Sequence, residues 1–186
     1  MKFIKLDKID AGKFIHRYNL EYEANDGTKK TYEMISRNPD MKDFLDLQNN
    51  KPDAVVLIMH SKDNSKLLVN REFRMATGKF VYNFPAGLID PGETYDISAK
   101  RELKEETGLE LIEITDTLPL CYSSIGFSNE TNITVIGIAD GTITGSDSVL
   151  EEIEAKWYSK SELTELLKTE PFAPKCQAYC YLWANS

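Results

Sequence analysis

Alternating bulky and polar positions mark the first forty residues. From Phe14 to Tyr22 large, mostly apolar side chains fall at every second position, a period that predicts a β-strand. Asn25-Asp26-Gly27 is typical of a hairpin turn, and Lys29–Ser36 is predicted to return as a second strand. With an initial strand near residues 2–6, these segments predict a small antiparallel sheet. Such a sheet is too thin to be stable alone, so it packs on the rest of the chain or on a second subunit.

Longer apolar runs begin after a polar, proline-containing segment at residues 38–52. We therefore expect an N-terminal sheet over residues 1–40 and a main domain over residues 41–186. In the main domain, strands are predicted at residues 54–59, 66–73, 80–84, 111–120, 132–138 and 153–158. Helices are expected before Gly108, after the Ser159 capping box and near the C-terminus. Strands on both sides of a central helix indicate an α+β layered domain.

Composition narrows the class of protein. The chain has 186 residues, 41% of them hydrophobic, and a net charge of -8, which argues against a nucleic-acid partner because such surfaces are usually basic. The N-terminal MKFIKLDKID has no apolar segment of the secretory type, and no stretch approaches a membrane span. We expect a soluble, cytoplasmic protein that binds neither nucleic acid nor membrane.

Three closely spaced carboxylates give the clearest chemical signal. Glu102, Glu105 and Glu106 are spaced at i, i+3 and i+4, so one side of a helix can present all of them. Like charges at this spacing repel each other, and a hard cation with oxygen ligands would compensate. Gly108 suits the left-handed position at which helices end, and Leu109 can fold back on the last turn. The alternative is a surface helix whose charges are solvated.

The surrounding stretch, residues 87–109, resembles the Nudix box. In that motif a glycine is followed after five residues by a glutamate, and after seven more by Arg-Glu-aliphatic-x-Glu-Glu-x-Gly-aliphatic. Its specified positions are filled here by Gly87, Glu93, Arg101, Glu102, Leu103, Glu105, Glu106, Gly108 and Leu109. The resemblance implies the Nudix fold, an α/β/α sandwich, preceded here by the small N-terminal antiparallel β-sheet.

By the same resemblance, the box glutamates serve metal-dependent hydrolysis of a phosphoanhydride. Glu102, Glu105 and Glu106 are predicted as metal ligands, with the backbone carbonyl of Ala86 as a further one, and Glu105 and Glu106 also as catalytic residues. Oxygen ligands favour Mg²⁺, with Mn²⁺ as the second choice, over zinc.

Four other motif positions are predicted to have structural roles. Glu93 is expected to pair with Arg101 and hold the loop against the helix, while Gly87 and Gly108 fix the backbone. A solvated helix charge is the alternative interpretation of Arg101.

A general base is expected outside the box. In Nudix enzymes that cleave nucleoside diphosphate sugars it often lies in a loop before a late strand, and SVLEEIEAKWYS is the matching segment. Glu151 is the first choice and Glu152 the second, although each is equally well explained as a solvated loop charge.

Further segments resemble the ADP-ribose pyrophosphatase branch: an N-terminal hairpin, TYEMISR, REFR and NFPAGLIDPGE. In that branch aromatic residues stack on the adenine, arginines contact the phosphates, and the N-terminal sheet exchanges between subunits, which implies a homodimer. The positions predicted to bind substrate are Phe14, Tyr32, Arg37, Arg74 and Glu130. Core packing explains the two aromatic residues equally well.

One position departs from that pattern. Many ADP-ribose members have a proline before the glycine of the loop that follows the box, where this chain has Ile125. The favoured function is hydrolysis of ADP-ribose or a related nucleoside diphosphate sugar. Alternatives are another nucleoside diphosphate derivative, such as a dinucleoside polyphosphate, a coenzyme or a modified nucleotide, and a non-catalytic nucleotide-sugar-binding regulator.

Overall fold

The computed structural model describes residues 1–146 and 151–186. They form two compact units: unit 1 comprises residues 1–53 and 120–132, and unit 2 comprises residues 54–119 and 133–186. Within the described residues, no helix has the length and apolar character needed to cross a membrane.

Unit 1 contains the predicted N-terminal antiparallel sheet. Its three strands are β1 (Lys2–Ala11), β2 (His16–Glu23) and β3 (Lys29–Ser36), in the order β1-β2-β3. Gly27 adopts a φ of 83° in the turn between β2 and β3, a conformation that glycine reaches without steric cost. The hairpin signal therefore marked the turn correctly.

Strand β2 begins two residues later than the alternation predicted. The backbone N–H of Gly12 donates to the carbonyl oxygen of Ile15 at 2.9 Å, which closes a turn between β1 and β2. Phe14 lies in that turn instead of in the strand, and its side chain is 66% exposed. The strand start was predicted too early because the alternation of bulky and polar residues continues through this turn.

The core of unit 1 is small. Tyr18, Leu20, Met34 and Met41 are buried together beside the short helix α1 (Phe44–Leu47). The segment 123–130 also lies along β3, where the N–H of Ile35 donates to the carbonyl oxygen of residue 127 at 2.8 Å. The unit therefore consists of more than the N-terminal hairpin and strand.

Unit 2 is built on a seven-stranded sheet. Five strands follow the order β10-β5-β4-β9-β8, while β6 pairs with β5 and β7 with β4. The strands are β4 (Ala54–His60), β5 (Lys66–Arg74), β6 (Lys79–Asn83), β7 (Ala86–Leu88), β8 (Glu110–Tyr122), β9 (Thr131–Asp140) and β10 (Ile153–Ser159). The pattern predicted all of these except β7, which is too short for an alternation to register.

Helices pack on the two faces of this sheet. They are α2 (Tyr95–Thr107), α3 (Lys160–Thr169) and α4 (Pro174–Ala184). Leu68 of β5 packs with Leu103 of α2, whereas Leu67 and Val69 pack with Cys176 of α4. Because neighbouring residues of a strand point to opposite faces, β5 shows that α2 covers one face and α4 the other. This layering is the predicted α/β/α arrangement.

Candidate active site

Helix α2 carries the glutamates and is anchored by its apolar side. Ala99 and Leu103 are fully buried in the core of unit 2. The helix ends at Gly108, whose φ of 80° is left-handed and whose N–H donates to the carbonyl oxygen of Lys104 at 2.8 Å. A Cβ at this glycine would lie 2.1 Å from the hydroxyl oxygen of Thr144, so the position also requires a residue without a side chain.

Arg101 joins the preceding loop to the helix. Its guanidinium donates to Glu93 at 2.8 Å, to the carbonyl oxygen of Leu88 at 3.0 Å and to Glu102 at 2.7 Å, and it lies 3.3 Å from Glu105. The bonds from Arg101 and from a serine hydroxyl lower the pKa of Glu93 to about 2. The predicted pair of Glu93 and Arg101 is therefore present, within a wider network.

The three glutamates of α2 occupy different environments. Glu106 is 7% exposed and accepts a hydrogen bond from the amide of Asn70 at 2.8 Å. Burial, followed by the charges of Glu72 and Glu102, raises the pKa of Glu106 well above its usual value. Glu105, in contrast, is 52% exposed.

Arg101 explains why the three carboxylates do not converge. It draws Glu102 and Glu105 towards the loop, while Glu106 points into the interior. Among residues 1–146 and 151–186, no three acidic, histidine or cysteine side chains already lie close enough together to hold a metal ion.

Gly87 makes room for the carboxylate of Glu102. A Cβ on Gly87 would lie 1.9 Å from the carboxylate carbon of Glu102, far inside van der Waals contact. The motif glycine is thus needed because a side chain packs against its backbone. Gly87 and Ala86 belong to β7, which pairs with β4 and so fixes this backbone on the sheet.

Replacing Gly87 with alanine should displace the Glu102 carboxylate and leave the fold intact, since the clashing atoms are the end of a flexible side chain. We expect kcat to fall by roughly 10- to 100-fold, the usual cost of disturbing the surroundings of a metal site. Steady-state kinetics with thermal melting would check this. The loss should not add to that of Glu102→Gln, because both changes act on one carboxylate; additive losses would contradict the assignment.

A second buried carboxylate, outside the box, was missed by sequence reasoning. Glu72 on β5 is 7% exposed and accepts a hydrogen bond from the amide of Asn83 at 2.9 Å. Burial raises the pKa of Glu72. Glu72 lies inside REFR, where the resemblance assigns a role only to Arg74. The one sequence signal for Glu72 is that a charged residue occurs within a strand predicted to be buried.

A cavity of about 280 Å³ lies in unit 2, beside the two buried carboxylates Glu72 and Glu106. Glu72, Glu106 and Ala86 form part of its wall, together with both candidates for the base, Glu151 and Glu152. The full lining is Glu72, Phe73, Arg74, Met75, Ala76, Ala86, Glu106, Glu151, Glu152 and Ile153. Residues 148–150 of the predicted base segment lie outside the described residues, but both glutamates are within them.

The donor set suits a divalent cation. Glu102 and Glu106 present carboxylate oxygens, Ala86 can present its carbonyl oxygen, and after burial the charge of Glu102 adds to the raised pKa of Glu106. A cation would relieve that repulsion. The residues present therefore fit a hard, oxygen-coordinated ion.

The predicted substrate contacts fall into separate groups. Arg74 lines the cavity of unit 2 and lies 3.4 Å from Glu72. In unit 1, Arg37 donates to Glu130, and the hydroxyl of Tyr32 donates to the carbonyl oxygen of Gly126. The structure thus brings Tyr32, Arg37 and Glu130 to one edge of the N-terminal sheet.

Comparison with known proteins agrees with the box and the fold. Residues 50–180 match the family model described as "NUDIX domain". The chain is 26% identical over 87% of its length to putative nudix hydrolase 2 of Caenorhabditis elegans, and 27% identical over 69% to the ADP-ribose pyrophosphatase of Bacillus subtilis. It spans 69% and 61% of the lengths of these two relatives.

A solved structure shares the fold. The crystal structure of an ADP compounds hydrolase superposes with a TM-score of 0.73, covering 100% of this chain and 93% of that one at 19% identity. The fold expected from the sequence is confirmed.

Proposed function

The chain belongs to the Nudix family, and from that premise we propose that it hydrolyses the diphosphate bond of ADP-ribose or a related nucleoside diphosphate sugar. The products are a nucleoside monophosphate and a sugar phosphate. The observation that carries the proposal is the cavity of unit 2, into which Glu72, Glu106 and Glu151 bring carboxylates on a scaffold fixed by Gly87 and Arg101.

Divalent ions are a general requirement of Nudix hydrolases, and we propose Mg²⁺, with Mn²⁺ as a substitute. Glu102, Glu105 and Glu106, with the carbonyl oxygen of Ala86, would hold it. Once bound, such an ion neutralises phosphate oxygens and lowers the pKa of a coordinated water. Glu105 would have to turn from Arg101 to take part, since it now lies 3.3 Å from that guanidinium.

Residues around the cavity supply binding and proton transfer. Glu151 is the proposed base, because its charge already acts on Glu72 and Glu102. Arg74 is proposed to contact a phosphate, and it is more than half exposed. Arg101 acts by position, holding the loop and helix together.

The residues proposed to bind the adenine of the substrate lie in unit 1. Phe14 and Tyr32 would stack on the adenine, an interaction worth about 1–3 kcal/mol per base, and Arg37 and Glu130 would bind polar groups of the substrate. Support comes from the exposure of Phe14 and from the grouping of Tyr32, Arg37 and Glu130 at one sheet edge. The names of two similar proteins, ADP-ribose pyrophosphatase and ADP compounds hydrolase, favour an ADP-containing substrate.

A panel of substrates would test the proposal. We expect Mg²⁺-dependent release of AMP and ribose 5-phosphate from ADP-ribose, followed by mass spectrometry, and slower turnover of other nucleotide sugars. The Glu106→Gln protein, purified in parallel, controls for contaminating phosphatases. Failure of every nucleotide sugar, with cleavage of a dinucleoside polyphosphate, a coenzyme or a modified nucleotide, would favour the second enzymatic function.

A nucleotide-sugar sensor is the other class considered. A sensor does not need metal-binding carboxylates, and this chain keeps all three box glutamates. Binding of nucleotide sugars without turnover would favour that class. Location in the cytoplasm remains a prediction from the sequence pattern, and a homodimer formed through the N-terminal sheet remains a prediction from the resemblance.

A further inference from the structure

One face of β5 turns polar where it reaches the cavity. Leu68 packs in the core against α2, and the next two residues of the same face are Asn70 and Glu72. Asn70 is 0% exposed and Glu72 is almost as deeply buried. Burying polar groups is costly unless partners satisfy them, so these two side chains need an explanation.

Their partners within the protein are incomplete. The amide nitrogen of Asn70 donates to Glu106 at 2.8 Å, but its amide oxygen is buried without a hydrogen-bond partner among the described residues. Glu72 accepts one bond from Asn83 at 2.9 Å and lies 3.4 Å from the exposed guanidinium of Arg74. The amide oxygen of Asn70 thus lacks the donor that a buried acceptor normally has.

The negative charges of Glu72 and Glu106 also favour a bound cation. Glu72 and Glu106 line the same cavity, and each is only 7% exposed, so two carboxylates share a small buried space. Two buried carboxylates with an unsatisfied amide oxygen beside them form a set of hard oxygen donors, the type that Mg²⁺ and Mn²⁺ prefer. A structural network would instead place a donor opposite each acceptor.

We propose that Glu72 and the amide oxygen of Asn70 join Glu106 in holding a divalent cation, so that the metal site extends beyond the Nudix box onto β5. This inference rests on the proposed metal dependence of the hydrolase, and it adds two ligands from outside the motif. Asn83 positions Glu72 through the bond to its carboxylate.

Metal binding without substrate tests the proposal directly. Isothermal titration of the whole protein with Mn²⁺ alone should show Kd raised by roughly 10- to 100-fold in Glu72→Gln. Glu154→Gln is the matched control, because Glu154 lies on the neighbouring strand β10, is exposed and pairs with Arg71 at 3.1 Å outside the cavity. An unchanged Mn²⁺ affinity in Glu72→Gln would overturn the proposal.

Thermal melting separates a ligand from a structural residue. Glutamine is nearly isosteric with glutamate and removes a buried charge, so the metal-free Glu72→Gln protein should melt no lower than the unsubstituted one, while its gain in Tm on adding Mn²⁺ should shrink. A lower metal-free Tm with an undiminished gain would make Glu72 structural and refute the proposal. Because no nucleotide is present, these results stand whether or not nucleotide sugars prove to be substrates.

Discussion

Replacing Glu106 with glutamine is expected to reduce kcat by roughly 100-fold or more, since even residues that only support metal ligands contribute 10- to 100-fold. Glu106 is the most deeply buried of the box glutamates and lines the cavity. Glutamine keeps the shape and can still bond to Asn70, but it removes the negative charge that a cation requires. Kinetics across a range of Mg²⁺ concentrations would show the loss and whether excess metal restores activity.

The same substitution should stabilise the metal-free protein. The pKa of Glu106 is raised in the folded state by burial and by Glu72 and Glu102, so the folded protein binds a proton more readily than the unfolded chain does. The favourable contribution is present at acidic pH and is lost as the pH rises through the folded-state pKa. At neutral pH glutamine therefore removes a penalty, and Tm in EDTA should rise.

Glu110→Gln is the control for both measurements, because Glu110 is exposed and pairs with Lys104 at 2.6 Å away from the cavity. A Glu106→Gln protein that kept full activity would exclude Glu106 as a ligand. One that melted lower in EDTA at neutral pH would show that its buried charge is already compensated within the protein.

Replacing Glu151 with glutamine is expected to lower kcat by about 100- to 10,000-fold, the range for loss of a general base. Glu151 and Glu152 both line the cavity, and after burial the charge of Glu151 adds to the raised pKa values of Glu72 and Glu102. Glu152 instead fixes the backbone, where its carbonyl oxygen accepts the N–H of Phe73 at 3.0 Å. Substitution of the Glu152 side chain should therefore have the smaller effect.

The pH profile distinguishes a base from a residue that only shapes the loop. Loss of the base should remove the acidic limb of the kcat/KM profile in Glu151→Gln, with KM little changed. A retained limb, or equal effects of Glu151→Gln and Glu152→Gln, would reassign the role. Full activity in both variants would place the base elsewhere.

Motif spacing predicted the helix of the box and its end at Gly108, because these depend on local geometry, and the resemblance to the Nudix box implied the pairing of Glu93 with Arg101. Spacing could not predict where the carboxylates point. Glu102, Glu105 and Glu106 share one side of α2 by periodicity, yet Arg101 and Asn70 draw them in different directions. Arg101 binds Glu102 and Glu105 from within the helix, whereas Asn70 reaches Glu106 from another strand. Helical periodicity describes neither choice of partner.

The place of Glu72 in the site also could not be predicted from sequence patterns. It belongs to the site only because β5 lies beside α2 and β6 supplies Asn83, contacts that exist after the sheet has formed. Phe14 illustrates a smaller failure, since the alternation of β2 runs on into a turn closed by Gly12 and Ile15. Sequence patterns thus located the elements well and the cross-element contacts poorly.

The guanidinium of Arg101 cannot be replaced by the other basic side chain without loss of contacts. One planar group reaches Glu93, Glu102, Glu105 and the carbonyl oxygen of Leu88 in different directions. Lysine carries the same charge at a single point and cannot span these acceptors. By charge alone, lysine is the mildest replacement for Arg101. Because lysine lacks the number and directions of the arginine donors, Arg101→Lys should disrupt this network nearly as much as a neutral residue would.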